Sequence, residues 1–195
     1  MKIKYEGVFT EADKLNIDLA FINIKAKLLL YIDCPDILEK LFSGIILEGK
    51  EELAGPYYGY TNKFDPKRIQ LQTGCVDQLL MYHELMHFIC LNTPKELNPA
   101  EILSHSVIRT INGKPVTSGN CRNMGYKVTK YTGYISINYP DHQHPEHTKD
   151  GSGKDPTEDV CDMFTSLIAA NIADNDAGFA LKEWMIFRIK DIVAL

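Results

Sequence analysis

The chain has 195 residues, 45% of them hydrophobic and 24% charged, with a net charge of −5. That length buries a sizeable core in one domain and leaves a second complete domain cramped, and the apolar content excludes intrinsic disorder. No basic surplus is present to neutralise phosphates, so a nucleic-acid partner is not expected.

Residues 2–9 alternate weakly and predict a first strand. Met1 to Glu6 leads into no apolar run of signal-peptide type, which sets a cytoplasmic expectation; a secreted effector using a non-classical route has the same appearance. Helical apolar spacing runs over 11–32 with Thr10 as cap. The most apolar part, 19–32, is interrupted by Lys25 and Lys27, so no membrane partner is expected. Asp33-Cys34-Pro35-Asp36 punctuates, and 35–42 reads as a short helix closed by Gly44. Residues 55–60 are turn-rich and aromatic. Residues 68–72 alternate, with Ile69 and Leu71 on one face, as a half-exposed strand does. Residues 76–91 predict a helix, and Asn98-Pro99-Ala100-Glu101 opens a short one. Asn112-Gly113 marks a hairpin between 107–111 and 114–117. Strands are expected at 126–130 and 134–139, a polar loop at 140–154, and helices at 156–173 and 177–193. The pattern is α+β. The five cysteines are scattered without a CxxC and fit a reduced compartment.

Residues 83–87 read His83-Glu84-Leu85-Met86-His87, the HExxH pattern. On a helix, residues four apart lie one above the other, so both imidazoles reach one metal ion. Glu84 projects about 100° around the helix from His83, where it touches a metal-bound water without ligating the metal. Zinc brings such a water's pKa toward about 7, and the carboxylate takes its proton as the oxygen attacks a carbonyl. Val76, Leu79, Leu80, Met81, Tyr82, Leu85, Met86, Phe88, Ile89 and Cys90 make the helix apolar nearly all round, which predicts burial. Two histidines and a glutamate on a buried helix are costly without partners, and a metal supplies them. The plainer alternative is an ordinary histidine pair with Glu84 solvated.

The pentapeptide resembles that of the zincin metallopeptidases, whose active-site helix carries it. The resemblance implies a zincin-like fold over 1–195: an N-terminal helical part at 1–55, a catalytic core at 56–175 and a C-terminal helix at 176–195. It also implies a small mixed sheet with an edge strand over a buried active-site helix, a second metal-bearing helix, one Zn2+ per chain, and a peptide or protein substrate. In zincins an edge strand precedes the helix and pairs with an extended substrate. Ile69, Gln70 and Leu71 occupy that place and would bind peptide by strand addition, unless they are an ordinary sheet edge.

Catalytic zinc takes three protein ligands plus water. The metzincin extension puts glycine at position 90 and histidine at position 93, and Cys90 and Thr93 reject it. The gluzincin branch takes a glutamate from a later helix, often followed one turn on by an acid. Asp155-Pro156-Thr157-Glu158-Asp159-Val160-Cys161-Asp162 contains such an ExxxD, with Val160, Cys161, Phe164, Leu167 and Ile168 as the neighbouring apolar stripe. The similarity to thermolysin-like and neprilysin-like enzymes implies Glu158 as third ligand and Asp162 as acceptor for the outer N–H of a ligating histidine. The interval from His87 is longer than in thermolysin. Glu158 also stands third after an Asp155 cap, so a capping box is the alternative, and Asp159, Asp162 or the Glu101/His105 pair stay open as ligand sources.

Zincins polarise the oxyanion with a Tyr or His beside the metal. Candidates are His142, His144 and His147 in the loop before Glu158, and Tyr134 and Tyr139, with Tyr126 and Tyr131, on the preceding strands; the alternatives are a solvated loop and sheet packing. Tyr57, Tyr58 and Tyr60 line a substrate cleft or pack as aromatics. The expected activity is that of a zinc-dependent endopeptidase, a hydrolase with His83, His87 and Glu158 on the metal and Glu84 as general base. Three other readings compete: a secreted effector or toxin protease with one protein target, a non-catalytic zincin-like module binding a peptide or partner, and a structural metal. An intact Glu84 argues against the module, and Cys90 and Cys161, off the ligand stripe, argue against the structural site.

Overall fold

A computed structural model describes residues 1–54, 57–104, 109–111, 114–116, 156–170 and 176–195. By internal packing these fall into two units, Met1–Thr93 with Ile192–Leu195, and Pro94–Asp191.

In the first unit, β1 (Lys4–Gly7) runs to Thr10, which caps α1 (Glu11–Leu29) as the sequence predicts. The Thr10 hydroxyl accepts from the Asp13 N–H at 3.1 Å and Asp13 Oδ2 accepts from the Thr10 N–H at 2.9 Å, a capping box closed by aspartate. The next helix, α2 (Ile37–Phe42), starts later than Pro35 and is followed by Gly44 at φ +75°, where glycine alone escapes a Cβ penalty.

β2 (Ile46–Lys50), β3 (Gly59–Asn62) and β4 (Asp65–Gln72) join β1 in a sheet of order β1-β2-β4-β3. β1–β2 and β2–β4 are parallel, and β3 pairs antiparallel with β4. β4 is therefore an interior strand, which corrects the expectation that Ile69, Gln70 and Leu71 offer a free edge. The faces were read rightly: Ile69 and Leu71 are fully buried, and Arg68, Gln70 and Gln72 are half-buried on the other side. Alternation reports which face a side chain takes, and carries no information about whether the strand's N–H and C=O groups are paired. Among the described residues, β3 is the strand at this end of the sheet. Neither β2 nor β3 was foreseen. Both are short and half polar, and each places a glycine on the core face, so neither shows a β-branched run.

Leu47, Ile69 and Leu71 cover the inner face, against which α3 (Gln78–Asn92) packs, and α1 packs on α3. Phe42 joins the helices, its ring centroid 5.4 Å from Phe21 and 6.1 Å from Phe88. The outer face is ionic. Arg68 bonds Glu6 and Asp65 and lies 3.5 Å from Glu48, while Lys4 and Lys50 reach Glu6 and Glu48 at 2.7 and 2.6 Å. Arg68 and Lys4 hold the Glu6 carboxyl down at about 2.

The second unit contains α4 (Pro99–Ser104), the hairpin β5 (Arg109–Ile111) and β6 (Lys114–Val116), α5 (Pro156–Ile168) and most of α6 (Asp176–Val193). Asn98 Oδ1 accepts from the Ala100 N–H at 2.9 Å and starts α4 ahead of Pro99, as predicted. α4 packs on α5, whose Val160, Cys161, Phe164, Leu167 and Ile168 are buried, as the apolar stripe requires. The expected strands at 126–130 and 134–139 and the loop at 140–154 lie outside the described residues. Among the described residues no helix is long and apolar enough to cross a membrane.

Asp13 is 1% exposed. Beyond the cap, its carboxylate accepts from the Gly74 N–H at 2.9 Å and the Val76 N–H at 3.3 Å. Burial pushes this carboxyl up, but the Gly74, Thr10 and Val76 hydrogen bonds outweigh it and hold it below the ordinary value. A depressed carboxyl contributes stability that is fully present above the unfolded pKa near 3.9 and is lost as pH falls through the folded one. Asp13→Asn is expected to lose about 2 kcal/mol at pH 7. Its urea midpoint should also fall less than that of the wild type between pH 5 and pH 3.

Candidate metal centre

α3 begins at Asp77, whose extended backbone and side chain form the cap: Oδ1 accepts from the Leu80 N–H at 2.7 Å. Its start is tied to α1 by Asn16, which donates to the Val76 carbonyl at 2.9 Å. Asn23 adds bonds to Gln78 Oε1 at 2.8 Å and Tyr82 Oη at 3.0 Å. At the far end Asn92 donates to the Pro66 carbonyl, just before the core of β4, at 2.7 Å. Leu80, Met81, Tyr82, Leu85, Met86, Phe88, Ile89 and Cys90 are buried, as their all-round apolar pattern predicts.

With both ends fixed, the rotation of α3 about its axis is fixed, and with it the HExxH side chains. His83 and His87 are half-buried, one turn apart, with ring centroids 4.8 Å apart at 71°. Their Nε2 atoms stand 3.1 Å from each other. Two nitrogens in a tetrahedral zinc shell with Zn–N of about 2.0–2.1 Å stand about 3.3 Å apart. The pair therefore has the spacing of two ligands to one ion, the chemistry of two converging imidazole nitrogens fits zinc, and an Nε2–H···Nε2 bond is the metal-free equivalent.

Glu84, on the adjoining flank of the helix, meets β3. It is 5% exposed, and Thr61 Oγ1 of β3 donates to its Oε2 at 2.8 Å. A hydrogen bond to an ionised group contributes about 1.5–3 kcal/mol, whereas burying a carboxylate costs several kcal/mol. Among the described residues Thr61 supplies the side-chain hydrogen bond that offsets part of that cost. Gly59, two residues back on the same face, abuts the Glu84 side chain. Neither Gly59 nor Thr61 was singled out in the sequence. The available signal was a glycine in an aromatic segment two residues before a threonine, and it reads equally well as a turn.

Glu158 and Asp162 lie one turn apart on α5 and are half-buried. They belong to the second unit, whereas His83, Glu84 and His87 belong to the first. His142, His144, His147, Tyr134 and Tyr139 lie outside the described residues, as do His105, Tyr126 and Tyr131. Tyr57, Tyr58 and Tyr60 are exposed, and Tyr60 lines a concavity of about 390 Å³ with Glu6, Glu48 and Arg68, over the outer face of the sheet. Comparison with protein-family models, with curated proteins and with solved structures finds no match.

Because the Asp77 cap begins the helix that carries these residues, Asp77→Ala is expected to lower the unfolding free energy by about 1 kcal/mol. Chemical denaturation checks this, with a reduced midpoint and an unchanged slope.

Proposed function

We propose that this chain is a zinc-dependent endopeptidase of zincin type. The observation that carries the reading is the placement of the HExxH side chains on one anchored helix. Two imidazole Nε2 atoms converge at 3.1 Å, and on the adjoining flank the buried Glu84 side chain is held by Thr61 of β3. The small mixed sheet, with an antiparallel edge strand preceding the helix, supports the zincin-like fold.

In this reading His83 and His87 hold the ion through Nε2. The third ligand comes from the ExxxD of α5, as the resemblance implies: Glu158 binds, and Asp162 accepts the outer N–H of a histidine and so fixes its tautomer. Bound zinc supplies a Lewis acid that acidifies a water and polarises a carbonyl. Glu84, as general base, takes the proton of the attacking water and hands it to the leaving amine. The substrate lies extended along β3, whose outer backbone groups add a strand partner; this moves the substrate edge from residues 69–71 to 59–62. The proposed substrate is a peptide or protein, and the proposed cofactor is one Zn2+ per chain.

The test measures zinc per chain and cleavage of a diverse peptide library for the wild type, Glu84→Gln, Glu158→Ala and Cys161→Ser, the last removing the buried thiol of α5. Near-stoichiometric zinc is expected in wild type and Glu84→Gln, with cleavage reduced at least about a hundredfold in the latter. Zinc is expected to be lost in Glu158→Ala and kept in Cys161→Ser. The reverse pattern in the last two would move the third ligand to Cys161. Zinc binding without cleavage of any peptide would overturn the peptidase in favour of a binding module.

A further inference from the structure

We propose that Gly59 and Thr61 of β3 form a seat that fixes the orientation of Glu84, which makes them positioning residues for the base. The inference rests on the reading of Glu84 as general base. The two residues alternate on one face of the strand, as a period of two requires, and each constrains a different part of the same side chain. Thr61 Oγ1 holds Oε2 at 2.8 Å. At Gly59, a Cβ built on the backbone would stand 2.7 Å from both Cγ and Oε1 of Glu84 and 2.9 Å from Cδ.

Gly59 is not among the glycines with positive φ, which among the described residues are Gly7, Gly44 and Gly74. Conformational freedom therefore does not explain it. What the position needs is the absence of a side chain, because Glu84 fills the space that a Cβ would take. The contact reaches Cγ, so swinging the carboxylate alone would not relieve it.

The arrangement matters because a base acts only when held within hydrogen-bond reach of the proton it takes, and misplacement by about 1 Å can cost about a hundredfold. One carboxylate oxygen is held by the Thr61 hydroxyl and the other lies beside Gly59, so both ends of the group are constrained by β3. The strand proposed to pair with the substrate is also the strand that seats the base. The positions of substrate backbone and base are thereby referred to one element, without intervening loops.

The experiment uses the full chain loaded with zinc, with Thr61→Val, Thr61→Ser and Gly59→Ala, and a thermal-unfolding cycle of Gly59→Ala with Glu84→Ala in metal-free protein. Thr61→Val is expected to lower kcat about ten- to a hundredfold with KM and zinc content unchanged, and Thr61→Ser to restore it. Gly59→Ala should lower the unfolding midpoint by several degrees when Glu84 is present and have little effect when position 84 is alanine. Wild-type kcat in Thr61→Val, or equal destabilisation by Gly59→Ala in both backgrounds, would overturn the seat. If the wild type cleaves no peptide, the peptidase reading fails by itself and the stability cycle decides the seat: non-additivity upholds it, additivity overturns it.

Discussion

The carboxylate of Asp13 accepts from the Thr10 hydroxyl and from the N–H groups of Thr10, Gly74 and Val76, so one buried acid closes the first turn of α1 and holds the loop that enters α3. The Val76 N–H would otherwise be a buried donor without an acceptor, a cost folded proteins rarely accept. Asn16 and Asn23, one and about three turns further along α1, repeat the attachment at Val76, Gln78 and Tyr82. α1 thus serves as the rule against which α3 is set, in height and in rotation. Everything that the HExxH residues can do follows from that setting, because a helix turned by one residue, about 100°, would exchange the surroundings of Glu84 for those of His83.

α3 gains its place by burying apolar side chains over most of its surface, while the stripe that carries His83 and His87 is only half-buried. Glu84 is accommodated on the side of β3 and the two imidazoles on another. The sheet takes part because β3, its last strand among the described residues, turns an inward face with Gly59 and Thr61 to the helix. The outer face of the sheet is of a different kind. Arg68 stands among Glu6, Asp65 and Glu48, with Lys4 and Lys50 completing the neutralisation. Its concavity thus carries charges that pair with each other, whereas the acid beneath β3 is held by a neutral hydroxyl.

Much of this was legible in the residues. Thr10 and Asn98 announced their helices, because capping is a contact between residues two or three apart. The burial of α3 and the apolar stripe of α5 followed from periodicity. The HExxH pentapeptide foretold the meeting of two imidazoles, since i and i+4 on a helix meet whatever surrounds them. Ile69 and Leu71 were rightly assigned to the core face, but their strand was assigned wrongly to the sheet edge. Pairing of β4 with both β2 and β3 depends on backbone groups that are the same for every sequence.

What the sequence by itself determined is local: the caps, the faces of helices and strands, and the presence of two imidazoles and a carboxylate on one helix. Only the tertiary structure decided which strand ends the sheet, that Asp13 reaches across to Gly74 and Val76, and that Gly59 and Thr61 meet Glu84. These contacts join residues far apart in the chain, and their partners are chosen by packing and by the need to pair buried polar groups. A glycine kept for space rather than for its backbone shows no sign of it until the side chain that fills that space is in view.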